Sequence, residues 1–234
     1  TSIIEEHLKI CQRNLNYGSK GCWIFEIGNI FKESDKQIHQ ISQISGVICG
    51  ERRMERWSNS SKPLLLDYYQ ARGILAKAMM CLNINCNDLP YDNINDHLIH
   101  PGKSCSIIIE GKQIGKFGQI HPKMAEQKDL PRETYLFELD LERLLISATR
   151  DNKWNVAFKQ YMTTPYIERD IAFIVGKDCL SSKVLQVIKK AGKPLLEKVE
   201  LIDRYEGGKL NLNMCSQAYR IWYRSKDKIL SDID

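Results

Sequence analysis

The sequence lacks the features that mark several large functional classes. It has no apolar run near the roughly 20 residues of a membrane-spanning helix, and its N-terminus shows no signal-peptide pattern. Glycine-rich phosphate loops of the GxxxxGK[ST] or GxGxxG type are missing, and no serine stands in a nucleophile-elbow setting. We therefore expect no catalytic residues in this chain and no membrane partner.

Neither disulfide-framework nor zinc-finger spacing is found among the eight cysteines, which are scattered through apolar segments. This pattern favours buried, reduced thiols in a reducing compartment. Cys81 and Cys86, followed by His97 and His100, allow a zinc interpretation. The ten residues between Cys86 and His97, and the two between the histidines, fall outside the usual spacing. We predict no metal site.

The composition is that of a globular protein, with 43% hydrophobic and 27% charged residues. A net charge of +5 permits an anionic partner without requiring one. The chain begins with Thr rather than Met, which predicts a fragment or a processed product.

A hairpin over residues 105–120 is the fixed point of the first predicted domain, which covers residues 1–150. Two β-rich runs flank a glycine-containing turn. Pro101 and Pro122 should bound the hairpin, because proline cannot donate to a strand ladder. Gly115 and Gly118 in its return strand indicate a bulge or a close approach by another backbone.

Apolar periodicity predicts the other elements of this domain and an α+β fold around an antiparallel sheet. The predicted elements are helix Ser2–Leu15, strand Cys22–Phe31, strand Ile44–Cys49, helix Asp67–Leu82, helix Lys123–Lys128, strand Tyr135–Leu141 and helix Leu141–Thr149. The candidates for the buried face of helix Asp67–Leu82 are Leu66, Tyr69, Ile74, Leu75 and Ala78.

Asn83–His97 is polar and turn-rich. Glu51–Trp57 carries three arginines and two glutamates, and is either a solvated loop or a patch facing RNA or another subunit.

After a boundary at 151–164, residues 165–234 predict the order strand, helix, strand, strand. The strands are Arg169–Val175, Glu197–Tyr205 and Gln217–Arg224, and the helix is Ser181–Ala191. Ser181 or Ser182 should cap this helix, and Gly192 followed by Pro194 should end it. The order is three-quarters of a ferredoxin-like module, whose last helix and strand we expect to be missing, leaving the first strand as an exposed edge.

The last predicted strand carries the candidate binding residues. Alternation places Tyr219, Ile221 and Tyr223 toward the core and Arg220, Trp222 and Arg224 on the open face. An indole between two cations suits unpaired bases and phosphates of RNA. The alternative is a solvated face on which Asp170 neutralises an arginine. Thirteen Lys or Arg against ten Asp or Glu beyond residue 164 give a net of about +3, which does not decide between them.

Short motifs recur in order over nearly the whole chain. They include Phe25-Glu26-Ile27-Gly28, Asp67-Tyr68-Tyr69, His100-Pro101-Gly102-Lys103, Ile114-Gly115-Lys116-Phe117-Gly118-Gln119-Ile120-His121-Pro122, Phe137-Glu138-Leu139-Asp140, Arg169-Asp170-Ile171-Ala172 and Ala218-Tyr219-Arg220. With these motifs the chain resembles the C-terminal part of the phenylalanyl-tRNA synthetase β subunits of the bacterial and organellar type. It departs from the family at Glu168, where an arginine often stands.

The resemblance implies an inactive, catalytic-like domain of class II synthetase architecture over 1–150, a linker, and a ferredoxin-fold anticodon-binding domain over 165–234. Its implied partners are the α subunit, in an (αβ)2 heterotetramer, and tRNA-Phe, with Arg169, Arg220, Trp222 and Arg224 as the candidate tRNA-binding residues. ATP and Mg²⁺ would be used by the holoenzyme, with no cofactor in this chain. The alternative is a stand-alone RNA- or metal-binding module without ligase activity. Frequent Ile, Lys and Asn favour AT-rich coding and a plastid (chloroplast) location, with the bacterial cytoplasm as the alternative.

Overall fold

In a computed structural model, the chain is described for residues 2–34, 36–51, 65–92, 96–151, 153–155, 158, 160–208 and 210–231. It divides into two compact units, Thr1–Val156 and Ala157–Asp234. Unit 1 contains α1 (Ile4–Asn16), β1 (Gly21–Ser34), β2 (Gln37–Gly50), α2 (Tyr68–Cys81), β3 (Cys86–Pro90), β4 (Ile99–Ile109), β5 (Lys112–Ile120), α3 (Pro122–Gln127), β6 (Thr134–Asp140) and α4 (Leu141–Ala148). Unit 2 contains β7 (Ile167–Gly176), α5 (Ser181–Ala191), β8 (Leu196–Tyr205) and β9 (Met214–Tyr223).

Unit 1 is an antiparallel six-stranded sheet of order β1-β2-β6-β5-β4-β3, with helices on both faces. One face packs against α2 and α4, which contribute residues such as Leu75 and Leu144 to a cluster around Phe117. The other face packs against α1 and α3 around Val47 and Leu136. This confirms a mixed α+β domain built on an antiparallel sheet.

The predicted hairpin is present as β4 and β5. A Cβ at Gly115 would lie 2.0 Å from the Glu138 carbonyl oxygen, and one at Gly118 would lie 2.3 Å from the Ile99 side chain and 3.1 Å from the backbone carbonyl oxygen of Lys103. The close approach predicted for both glycines is therefore confirmed. Pro122 opens α3, but the boundary predicted at Pro101 was wrong. β4 begins before it, and Pro101 lies in the stretch where the register shifts.

Several element boundaries in unit 1 differ from the prediction. The hairpin of β1 and β2 has 14 residues in each strand, because the two strands pair with each other well beyond the dense apolar runs that marked the predicted strands. The segment predicted as turns contains β3, an edge strand paired with β4. Of the arginine-rich stretch Glu51–Trp57, all but Glu51 lies outside the described residues.

Helix α2 begins with a capping box. The Asp67 carboxylate accepts a hydrogen bond from the Gln70 backbone N–H at 2.7 Å, and the Gln70 side chain accepts one from the Asp67 N–H. Its predicted buried face was partly wrong. Tyr69 is 82% exposed, and Ala78 is exposed too, whereas Arg72 is buried. Arg72 is accommodated because its guanidinium donates to the carboxylate of Asp88.

Unit 2 is a three-stranded antiparallel sheet of order β7-β9-β8, with α5 on one face. Ile188 of α5 packs against Tyr219 and Ile221, which confirms the predicted core face of β9. The extent of α5 matches the prediction, but its cap does not. Leu180 occupies the N-cap position and makes no side-chain hydrogen bond. In the described parts of the chain, no helix is long and apolar enough to cross a membrane.

Candidate RNA-binding face of the second unit

The sheet face of unit 2 that points away from α5 is set by strand register. β9 lies in the centre, and residues directly opposite one another on paired strands share a face. Trp222 pairs with Glu168 of β7 and Lys198 of β8. Arg220, the next residue of β9 on the same face, pairs with Asp170 and Glu200. We call this surface the outer face, with the members Glu168, Asp170, Ala172, Ile174, Lys198, Glu200, Asp203, Tyr205, Ser216, Ala218, Arg220 and Trp222. Four carboxylates and two cations therefore line it.

Arg220 is held by two carboxylates of β7. Its Nε and Nη2 each donate to Asp170 at 2.8 Å, and Nε lies 3.0 Å from Glu168. Hydrogen bonding to Asp170 raises the pKa of Arg220 above its ordinary value, and the same bond lowers the pKa of Asp170. The structure therefore has the alternative arrangement considered from the sequence, in which Asp170 neutralises an arginine of this face. RNA contact by Arg220 would require it to leave or share these partners.

Trp222 offers the outer face an aromatic surface. The Lys198 ammonium lies 4.8 Å from its ring centroid, a cation–π distance, and also pairs with Glu200 at 2.6 Å. Arg224 follows the end of β9. Its Nε lies 2.8 Å from Glu197, its Nη1 donates to the Met162 carbonyl, and its side chain is 18% exposed.

Arg169 is not brought together with the other three candidate residues. It pairs with Ile221, so its side chain belongs to the α5 side of the sheet. There it lines an open groove of about 400 Å³ with Pro194, Tyr223 and Leu230. Its Nη1 donates to the Glu168 carbonyl at 2.9 Å. Of the four predicted residues, only Arg220 and Trp222 are strand neighbours on one face.

Tyr205 is a candidate that inspection of the sequence missed. It pairs with Ser216 on the outer face, and it is 53% exposed. A register shift between Leu201 and Asp203 places it there. Simple alternation from Lys198 and Glu200 would put Tyr205 on the α5 side, so only the bulge reveals its true face. Its exposed ring can stack on a base.

The cysteines and histidines considered for zinc do not gather. Where side chains are described, no group of three or more potential ligands could hold a metal ion. Cys86 Sγ accepts a hydrogen bond from Arg72, and His100 Nδ1 accepts one from the Gly102 N–H. Cys81 is exposed, which corrects its prediction as a buried thiol. That the chain holds no metal stays a prediction.

Comparison with known proteins assigns both units. A family model for the ferredoxin-fold anticodon-binding domain matches residues 163–234. Together with the β7-β9-β8 sheet and its helix, this match places unit 2 in the class of ferredoxin-fold anticodon-binding domains. A second model, the phenylalanyl-tRNA synthetase β chain CLM domain, matches residues 1–141. The chain belongs to the phenylalanyl-tRNA synthetase β chain family.

Named relatives agree with the family models. The chain is 50% identical over 232 residues to a phenylalanine–tRNA ligase β subunit from Prochlorococcus marinus (strain MIT 9313) and 49% identical over 232 residues to one from Synechococcus sp. (strain CC9605). Each alignment covers 99% of this chain and 28% of the relative. Among solved structures, pyrrolysyl-tRNA synthetase from Desulfitobacterium hafniense matches 62% of this chain and 48% of its own at 10% identity, with a TM-score of 0.44. That likeness is too low to support a statement about the fold.

Proposed function

We propose that this chain is a non-catalytic part of the β subunit of a phenylalanine–tRNA ligase, which attaches phenylalanine to tRNA-Phe with ATP. The observation that carries this proposal is the two family matches in sequence order, over residues 1–141 and 163–234. Because the chain spans about 28% of the length of its relatives, the activity belongs to the larger assembly.

The proposed partners are an α subunit and tRNA. In this proposal unit 1 has class II synthetase architecture but no activity, and it serves to dock the α subunit in an (αβ)2 heterotetramer. ATP and Mg²⁺ act outside this chain. Relatives from Prochlorococcus and Synechococcus support a plastid or a bacterial cytoplasmic location equally.

Contact with tRNA is assigned to the outer face of unit 2. Tyr205 supplies exposed aromatic surface, and Trp222 partly exposed aromatic surface, for stacking on unpaired bases. The four carboxylates of this face oppose phosphate, so stacking rather than charge would carry the contact. Arg224 lies next to the outer face and could reach the backbone of the RNA after releasing Glu197.

Two assays test the proposed function. The complete β subunit and its α subunit should together charge tRNA-Phe with phenylalanine in the presence of ATP. The present chain alone should show no phenylalanine-dependent ATP–pyrophosphate exchange. Exchange by the isolated chain, or no charging by the pair, would refute the proposal. A stand-alone RNA-binding module would bind RNA but give no charging with any α subunit.

A further inference from the structure

Three of the eight cysteines meet in the core of unit 1. Cys11 of α1, Cys22 of β1 and Cys49 of β2 belong to one buried cluster of side chains, and they are 0%, 5% and 0% exposed. We call these three residues the thiol cluster. They come from three different elements, so the fold brings them together. The described side chains include no group that could hold a metal ion, which leaves the redox chemistry of thiols for this cluster.

Strand register places Cys22 and Cys49 directly opposite each other. The two strands pair in the antiparallel sense, and these two residues are Cα partners. Residues in that relation have Cα atoms about 4.5–5.5 Å apart, within the ~4.4–6.8 Å that a disulfide spans. Their side chains project to the same face of the sheet, which α1 covers. A disulfide between them therefore fits the strands without a change of register.

Hydrogen bonds distinguish Cys49 from a thiol buried among apolar groups alone. The hydrogen bond from the Cys11 thiol lowers the pKa of Cys49 and, with those from the Cys22 backbone and Thr134, outweighs the opposing effect of burial. The pKa of Cys11 is raised, chiefly by its hydrogen bond to Cys49 and then by burial. Cys11 therefore keeps its proton as the donor, and Cys49 has the greater thiolate character. The thiolate is the form of cysteine that reacts with peroxides.

The position of the thiol cluster gives a small oxidant a route to it. In the described sheet, β1 is an edge strand, and Cys22 is its second residue. Asn14 Nδ2 at the end of α1 donates to Cys22 Sγ at 3.7 Å. Only this contact and the last turn of the helix separate the sulfur from solvent at that edge. Hydrogen peroxide is little larger than water, so a local opening of the edge admits it.

We propose that the thiol cluster is an oxidisable site, at which hydrogen peroxide converts Cys22 and Cys49 to a disulfide. The Cys49 thiolate attacks a peroxide oxygen, so an S–O bond forms, the O–O bond breaks, and the sulfur is oxidised to a sulfenic acid while hydroxide leaves as water. The sulfur of Cys22 then attacks that of Cys49. The S–S bond forms, the S–O bond breaks, and the departing hydroxide takes the proton of Cys22. The sum is two thiols and one peroxide giving one disulfide and two waters.

Peptide mapping of the wild-type protein tests the proposal. The complete β subunit, assembled with its α subunit, is treated with hydrogen peroxide and then unfolded with iodoacetamide present to block the remaining thiols. We expect mass spectrometry to find a cross-linked peptide pair that contains Cys22 and Cys49 and that dithiothreitol separates. Cys105 is the matched control. It is also 5% exposed but lies in the other core cluster of unit 1, and burial raises its pKa, so it should be recovered as a free thiol.

Variants of the thiol cluster separate the roles of its members. Cys11→Ala removes the hydrogen-bond donor, so disulfide formation at neutral pH should slow about two- to tenfold, and its pH profile should move to higher pH. Cys11→Ser keeps a donor and should restore both the rate and the profile. Cys22→Ser leaves Cys49 without its partner, and dimedone should then trap the sulfenic acid on Cys49.

The mapping also defines what would overturn the inference. It is wrong if no Cys22–Cys49 peptide forms at a peroxide concentration that oxidises the exposed Cys81. Oxidation of Cys105 to the same extent would show that the reaction follows unfolding rather than the arrangement of the thiol cluster. A disulfide between Cys11 and Cys49 would contradict the role of Cys22. Because these outcomes are measured on the wild-type protein, a variant that fails to fold does not affect them.

Discussion

Each unit of the chain holds one cation between two carboxylates, and the two sites differ mainly in burial. In unit 1, Lys116 Nζ lies 2.6 Å from Asp96 and 2.9 Å from Glu138, with side-chain exposures of 20%, 8% and 13%. In unit 2, Arg220 lies 2.8 Å from Asp170 and 3.0 Å from Glu168. These three side chains are 39–48% exposed. Similar geometry should therefore have different energetic consequences.

In unit 1, burial disfavours the charged forms of Lys116 and Asp96, whereas their oppositely charged partners favour the charged forms. Desolvation would lower the pKa of Lys116, but attraction to Glu138 and the hydrogen bond to Asp96 outweigh it and raise the pKa. For Asp96, desolvation would raise the pKa, but hydrogen bonds from Lys116 and Tyr91 outweigh it and lower the pKa. Removing one partner from such a site leaves an uncompensated charge where water is scarce. At Arg220, water and salt replace a lost partner.

The largest effect is expected from the glycine beside the buried site. A Cβ at Gly115 would lie 2.0 Å from the Glu138 carbonyl oxygen and 2.8 Å from Leu139 Cα. Gly115→Ala must therefore push β5 and β6 apart, and it should lower the free energy of unfolding by about 3 kcal/mol or more. Denaturant titration measures this change.

Gly73 provides the matched control for Gly115. It lies inside α2, where a Cβ would meet nothing within 4 Å. Gly73→Ala should raise the free energy of unfolding by about 0.5–1 kcal/mol, because alanine favours a helix more than glycine does. A loss of stability at Gly73, or none at Gly115, would contradict the close approach of β5 and β6.

The second prediction compares the two cations directly. Lys116→Met leaves Asp96 and Glu138 facing each other without a cation, so the free energy of unfolding should fall by about 3 kcal/mol. Arg220→Met should leave the melting temperature nearly unchanged, because its carboxylates stay hydrated. Parallel thermal and denaturant unfolding of both variants measures the difference. Equal losses would show that burial does not separate the two sites.

The sequence predicted those parts of the fold where one apolar face is buried. Helix α5 and the hairpin of β4 and β5 follow from period and turn residues. β3 was missed because an edge strand exposed on both faces needs no apolar alternation. The prediction of the buried face of α2 was partly wrong because apolar residues occur on all sides of this helix. The burial of Arg72 also depends on its hydrogen bonds to Asp88 of β3, which the helix sequence alone does not show.

The candidate site was predictable only in part. Alternation along β9 placed Arg220 and Trp222 on the outer face. It gave no register between strands, so it could not show that Arg169 lies on the other side or that Asp170 and Glu168 both hold Arg220. Tyr205 depends on a bulge in β8 that no local signal marks.

The third prediction asks whether the outer face binds RNA by stacking. In the complete ligase, Trp222→Ala and Tyr205→Ala should each weaken tRNA binding about tenfold, because one stacked base contributes roughly 1–3 kcal/mol. The dependence of affinity on salt should stay as in the wild type, since neither ring contacts phosphate. Filter binding at several salt concentrations measures both quantities.

Two further variants limit the interpretation of the stacking experiment. Leu212→Ala is the control, because Leu212 is 90% exposed and precedes β9, outside the outer face. Arg220→Gln should change the salt dependence only if this arginine exchanges its carboxylates for a phosphate. If Trp222→Ala, Tyr205→Ala and Arg220→Gln all leave tRNA affinity unchanged, the outer face is a solvated surface and the tRNA contact lies elsewhere.

The smallest expected effect concerns acid and salt. The folded state lowers the pKa of both Asp96 and Asp170, so each stabilises its unit above the ordinary aspartate pKa. That contribution is lost as the pH falls through the folded pKa.

In 1 M salt the screening length shrinks to about 3 Å, which weakens exposed pairs far more than buried ones. Carboxylate NMR titrations should therefore show the pKa of Asp170 returning toward its ordinary value in high salt, while that of Asp96 stays low. If both pKa values return together, Asp96 and Lys116 are as accessible to ions as the open face of unit 2, and the energetic distinction between the two sites is wrong.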